Sequence, residues 1–298
     1  MKKRYVGLMV PLILYAIAST PVKAHEPLWG ETPIVFSSGL VHPEVKFKYM
    51  DAGDAGDGGE RTRMFEQEYM IAYAPRPSLN LRLEVPYHNT LRQEMVDGRV
   101  RSAVISGLGD ITLGAKSRFK ARQEEGLSIQ HTLLYGIKFP TGRSDHRDPD
   151  GERAAPHDQT GTGKPGIMLG YAVDRETLKD TIWANVEWHR DLGGGFRMGD
   201  MIEFNAAYGR WVKFANEADQ LGVNLAVGLV GEIHRDDPLG SGRKANNGHR
   251  LLGIHVTPIF TKGTSQFRIG VMVPVYRRGP EDHTDFPYEL RAAFETFF

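Results

Sequence analysis

The 298-residue sequence contains no cysteine, which excludes thiolate nucleophiles, structural disulfides and Cys-ligated zinc. It also lacks net charge, because 37 Lys and Arg balance 37 Asp and Glu. Without a basic excess to displace counterions from phosphate, no nucleic-acid partner is expected. Long apolar runs are missing too: beyond residue 24 none approaches the roughly 18 residues of a membrane-spanning helix. The Gly-x-Ser-x-Gly elbow of many hydrolases is absent.

What is present begins with an export signal. Lys2, Lys3 and Arg4 precede an apolar stretch from Tyr5 to Ala18, and Val22-Lys23-Ala24 fits a small-x-small cleavage site. That three-part pattern marks a cleaved secretory signal, and the apolar stretch is too short for an anchor helix. The mature chain is expected to begin at His25.

The rest alternates with period two. Val45, Phe47 and Tyr49 interleave with Glu44, Lys46 and Lys48; Leu79, Leu81, Leu83, Val85 and Tyr87 interleave with Asn80, Arg82, Glu84 and Pro86. Similar runs lie over 127–139 and 221–234. Successive strand side chains point to opposite faces, so each run has one apolar and one polar face. The runs are near the length of a tilted strand crossing a bilayer. Many apolar faces end in an aromatic, among them Tyr87, Phe119, Phe139, Trp188, Tyr208, Phe260 and Phe267.

The pattern predicts twelve strands near 42–50, 63–73, 79–87, 108–120, 127–139, 166–173, 181–190, 201–212, 221–234, 250–260, 267–276 and 288–298. Connections after even-numbered strands are short, such as ARQEEG. Those after odd-numbered strands are mostly long and polar. An even strand count, short turns on one side and long loops on the other predict an all-β, transmembrane antiparallel β-barrel of outer-membrane type. The chain also ends on an alternating strand closed by Phe298, which resembles the signal read by the barrel-assembly machinery, an expected partner. The expected organisation is a signal peptide over 1–24, an N-terminal periplasmic or plug segment over 25–43, and the barrel over 44–298. The expected location is the outer membrane of a Gram-negative cell, among outer-membrane lipid and lipopolysaccharide.

Five segments then add a resemblance. GLGDITLGAKSRF (107–119), GIKFPTG (136–142), QTGTGKPGIMLGYA (159–172), NNGHRLLGIHVTPIF (246–260) and FRIGVMVPVYRR (267–278) resemble, in order, the outer-membrane family named for the MetA pathway of phenol degradation. The resemblance covers about residues 105–298. It implies a transporter-like barrel for small molecules, often aromatic or hydrophobic, and brings no catalytic residue or cofactor.

Parity places a set of charges in the lumen. The acids are Glu66, Glu68, Glu84, Asp110, Glu187, Glu203 and Glu232; the bases are Arg82, Lys116, Arg118, Lys138, Arg268 and Arg291. They either form a filter in a water-filled channel or pair across a narrow lumen and fill it. The leading expectation is a passive channel for small-molecule solutes, not an enzyme and without a cofactor. A non-conducting structural or metal-capturing barrel is the alternative. For the latter His146, His157, His234 and His283 in or beside outer loops, with acidic neighbours, are the candidate ligands. No close His pair occurs within one loop, so such a site has to be assembled between loops. The acidic stretch from Asp51 to Glu60 lacks the EF-hand spacing and is no calcium loop. A third reading pairs Ser117 with His131 on the lipid face, as in a lipid hydrolase; it requires Phe119 to face Ile129, and it lacks a third member.

Overall fold

The computed structural model describes residues 27–53, 60–96, 99–215, 219–245, 247–279 and 286–298. The expected signal peptide, His25, most of the acidic 51–60 loop and His283 lie outside the described residues. The alternating segments fold as strands because each can then give its apolar side chains to one face and its polar ones to the other. In chain order they are β1 (Val41–Gly53), β2 (Glu60–Arg76), β3 (Leu79–Val96), β4 (Arg99–Leu108), β5 (Ile111–Glu124), β6 (Leu127–Phe139), β7 (Gly166–Thr177) and β8 (Asp180–Asp191). There follow β9 (Met201–Lys213), β10 (Gly222–His234), β11 (Pro238–Gly240), β12 (Arg243–Lys244), β13 (His249–Lys262), β14 (Ser265–Arg278) and β15 (Glu289–Thr296).

Twelve of these strands (β1 to β3, β5 to β10 and β13 to β15) form one closed antiparallel ring. The seam joins β1 to β15, with Glu44 opposite Glu295 and Met50 opposite Glu289. Reciprocal backbone bonds between Val41 and Phe298, at 3.0 and 3.1 Å, finish it. Lipid offers no partner to an unpaired strand edge, so closure is what makes the ring viable in a membrane. The short turns between β2 and β3, β5 and β6, β7 and β8, and β13 and β14 lie at the end where Val41 meets Phe298.

The barrel is packed inside out. Its least exposed side chains include Arg268, His42, His255, Gln266, Glu295, Asn80 and Asn205, while Leu83, Ile137, Leu169, Val227, Ile254 and Val273 stand exposed on the outer face. Val227 lies midway along β10 on that face. Val227→Arg is therefore expected to cost ~2–4 kcal/mol, and Ile233→Arg near the strand end about 1 kcal/mol or less. Urea unfolding in lipid vesicles measures both, and equal costs would contradict the assignment of the apolar belt.

The structure departs from the sequence expectation in two places. Residues 88–107, expected as an outer loop, are mostly strand: β3 runs to Val96, and β4 returns beside it from Val96–Arg99 to Tyr87–Leu108. This hairpin stands beyond the hydrocarbon, where neither face need be apolar, so backbone pairing continues after the hydrophobic period is lost. The expected strand over 108–120 is broken at Gly109 and Asp110, where the partner of β3 changes from β4 to β5. The second departure corrects the Ser117–His131 pairing. A register shift between Arg118 and Lys120 sets Ser117 opposite Leu133 and His131 opposite Lys120. His131 instead lies 2.6 Å, by its Nδ1, from the Tyr171 hydroxyl, within an aromatic cluster that includes Phe119. The nucleophile and base of the lipid-hydrolase reading are thus not brought together.

Candidate functional site in the barrel lumen

A barrel this narrow could fill its own lumen with side chains, yet part of the filling comes from residues 27–40, a segment without strand periodicity. Its indole Trp29 donates from Nε1 to Glu289 at 3.0 Å and stacks on His255 at 4.8 Å. The ring fits because Gly270 of β14 has no side chain; a Cβ there would stand 2.6 Å from the indole. Pro27 offers its carbonyl to Arg268 at 2.9 Å. Gly30 has φ +73°, and any Cβ on it would collide with Asn185 of β8 and Asn205 of β9. One residue on, Glu31 reaches the far wall, 2.8 Å from Arg82 of β3 and 2.7 Å from Lys116 of β5. Thr132 of β6 donates to the Pro33 carbonyl at 2.6 Å, and Asn80 accepts from the Phe36 amide at 3.2 Å. Phe36 then packs edge-on against His42 and Phe297 beside the seam. The segment crosses the lumen as a floor.

Above this floor lies a cavity of about 250 Å³, lined by Lys46, Lys48, Glu66, Glu68, Arg82, Glu84 and Arg291 on one side and Glu187, His189 and Glu203 on the other, with Glu31 below. A second cavity of about 190 Å³ shares Arg82, Glu84 and His189 and extends toward Lys138, Asp191 and Met198. Ion pairs order the lining: Lys46 with Glu68 at 3.2 Å and Lys48 with Glu66 at 3.7 Å across β1 and β2, and Arg82 with Glu84 at 2.9 Å along β3. On the β8–β9 wall the acids Glu187 and Glu203 have only His189 between them, at 4.0 and 3.5 Å. Six carboxylates against four Lys and Arg leave the larger cavity at 6 − 4, two negative charges with His189 neutral.

Residues 140–165 form the ceiling. Asp110, at the break between β4 and β5, holds both ends of this loop, accepting from the amides of Gly142 at 2.9 Å and Thr162 at 3.1 Å. The middle of the loop is a 3-10 turn, Pro156–Asp158. Asp158 and Asp148 both accept from Arg92 Nη1 of β3, at 2.7 and 2.9 Å. The neighbouring His157 reaches the other way, with Nδ1 2.9 Å from Asp237 in the β10–β11 connection. Asp237 is fully buried and also accepts from the amide of Gly199 at 2.7 Å and Nδ2 of Asn247 at 2.8 Å. Since β3 and β10 lie six places apart on the ring, the run Arg92–Asp158–His157–Asp237 bridges the mouth. Burial alone would push His157 down, but Asp158 and Asp237 outweigh it and raise its pKa. Burial would likewise raise Asp237, but the hydrogen bond and charge of His157 hold it low.

The structure superposes on an outer-membrane channel of Pseudomonas putida F1 with a TM-score of 0.64, over 89% of this chain and 97% of that one, at 14% identity. By fold, this is an outer-membrane β-barrel. Looser likenesses, with TM-scores of 0.46 and 0.42, extend to the β domain of a Bordetella autotransporter and the translocator domain of an autotransporter from Neisseria meningitidis. Each is 10% identical over 88% of this chain, covering 100% and 89% of the other respectively. No family model matches the chain, and no curated protein matches it by sequence. The narrower phenol-pathway resemblance thus rests on its five motifs alone.

Within the barrel the sequence candidates separate by height. Glu66, Glu68, Arg82, Glu84, Glu187, Glu203 and Arg291 line the cavity, and Lys116 ties the floor. Asp110 and Lys138 sit under the lid, 3.6 Å apart. Glu232 meets His249 near the mouth at 3.1 Å. Arg268 is sealed between Glu44 and Glu295, and Arg118 binds Gln130 and the Pro77 carbonyl at the turn end. Of the histidines, His157 and His234 come together, ring centres 6.4 Å apart, whereas His146 lies apart from them on Thr160. Among the described residues, three ligating atoms converge instead at His42, Glu44 and Glu295. Arg268 and Lys46 already pair with the two carboxylates there, so that donor set does not suit a cation. Sequence reasoning missed Trp29, Glu31 and Arg92, which act from segments where neither parity nor a motif singles out a residue, and it gave no role to Asp237 beside His234 or to Asn247 within the motif over 246–260.

Proposed function

We propose that this protein is a channel of the outer membrane for small polar or charged solutes, exported with its signal cleaved after Ala24, and closed at rest by a floor and a lid. The observation that carries this reading is the charged cavity between two partitions that are not part of the hydrogen-bonded ring: the lid is held by ion pairs and hydrogen bonds, the floor by ion pairs together with the packing of Trp29 and Phe36. Passage is passive diffusion, and the unbalanced acids on the β8–β9 wall favour cations. The larger cavity is lined mainly by charged side chains, which supports polar solutes over the aromatic or hydrophobic ones implied by the phenol-pathway resemblance.

Planar-bilayer recording of the refolded mature chain tests this. Discrete steps with a reversal potential favouring cations are expected, and Glu187→Gln with Glu203→Gln should move that potential toward zero. If the folded barrel stays silent even in variants that open floor and lid, the structural-barrel reading replaces the channel.

A further inference from the structure

At the mouth end of the barrel the outer face changes abruptly from aliphatic to basic. Ile233, Arg250 and Arg278 stand side by side across β10, β13 and β14. Within the next two rows toward the membrane centre lie Ile254, Val273, Val275 and Tyr276, all exposed. Two arginines directly opposite one another repel, and such a cross-strand pair costs stability unless an anion lies between them. Among the described residues no carboxylate pairs with Arg250, Arg278 or Lys244. Together with Arg235 these side chains line an open cavity of about 710 Å³. The one acid of that cavity, Asp236, is engaged by the amide of Gly248 at 2.8 Å. Arg235 is 79% exposed and 3.9 Å from Asp200.

We infer that this cavity binds the phosphate of a phosphorylated lipid in the outer leaflet. The position argues for lipid over a free solute: the arginines face outward, at the height where the apolar belt ends and headgroups begin. The chemistry argues for phosphate. A phosphate monoester carries about −1.5 to −2 charge at neutral pH and accepts paired N–H bonds from guanidinium groups. One such group between Arg250 and Arg278 turns their repulsion into two attractions, and Lys244 and Arg235 close the cavity above it. The inference rests on the outer-membrane orientation proposed above, but not on conduction.

The test is native mass spectrometry of the folded, detergent-solubilised protein, titrated with bisphosphorylated lipid A and with its dephosphorylated counterpart. The phosphorylated lipid should bind at least tenfold more tightly, roughly what loss of charge-assisted contacts predicts. Arg250→Gln with Arg278→Gln should abolish that preference, while Arg122→Gln at the opposite rim should leave it unchanged. Retained heat-modifiable gel mobility shows that the variants are folded; if the double variant is not, Arg278→Gln alone serves. Equal binding of the two lipids, or an unaltered preference in the variant, overturns the site. So does inorganic phosphate that competes as strongly as the lipid, since the site would then be one for free phosphate. A barrel that conducts yet shows no lipid preference loses this site and keeps the channel reading.

Discussion

A Glu31→Ala barrel is expected to conduct several-fold more than wild type in planar bilayers. Glu31 is the joint between floor and wall: its carboxylate serves both Arg82 and Lys116, and all three side chains are mostly shielded from water. Removing one member of such a buried set costs about 3–5 kcal/mol, because the remaining charges stay desolvated without their counter-charge. The floor is short, and its other strong anchor is the Trp29 indole in the space above Gly270. Loss of the Glu31 joint should free the arm from Glu31 to Phe36 while the β1–β15 seam still closes the ring. Cation preference should also fall, since Arg82 and Lys116 then face the cavity without that carboxylate. Trp29→Ala releases the opposite arm and is expected to act in the same direction. Wild-type conductance in both folded variants would mean that the floor is not the barrier.

The lid should open as pH rises. The groups facing His157 are Asp158, Asp237, Arg92, Asn247 and His234, and the two carboxylates dominate. Because the pKa of His157 is raised in the closed lid, its contribution to closure is complete below the ordinary value of 6.5 and is lost as pH climbs through the raised value. Asp237 is depressed, so its contribution is present above the ordinary value of 3.8 and lost as pH falls through the lowered one. The closed state is therefore most stable between about pH 4 and 6.5. Open probability should increase on going from pH 6 to pH 9, and His157→Gln should flatten that dependence. Asp237→Asn should go further and raise open probability at every pH, by removing one of the two carboxylates that hold His157 and weakening the hold on Gly199 and Asn247. Recording at fixed voltage across this range measures all three, and an unchanged wild-type trace from pH 6 to pH 9 would remove the latch.

Floor and lid are unlike the wall in what holds them. The wall is a hydrogen-bonded ring that cannot open in lipid without exposing backbone. Floor and lid lie outside that ring: the lid rests on ion pairs and bonds to backbone, each exchangeable for water, and the floor adds to such contacts the packing of Trp29 and Phe36. A charged cavity between an irreversible wall and reversible partitions is what a gated passage requires.

The sequence by itself determined the barrel. Strand side chains alternate by geometry, lipid demands an apolar outer face, and a narrow lumen demands a polar inner one. The inward set from Glu66 to Arg291 could therefore be read from parity alone. The same argument failed wherever that double constraint stops. Beyond the bilayer, residues 88–107 pair as β3 and β4 with no apolar period to announce them. Between Arg118 and Lys120 one shift of register separated Ser117 from His131, and parity carries no information about bulges. Only the tertiary structure decided what blocks the lumen. Glu31 meets Arg82 and Lys116, and His157 meets Asp237, across separations that no local pattern records. Such contacts depend on where a closed ring brings its far sides, and they come from segments without periodicity. Tertiary structure also decided which charges are spent on one another, as Arg268 is on Glu44 and Glu295, and which, like Glu187 and Glu203, still face the cavity.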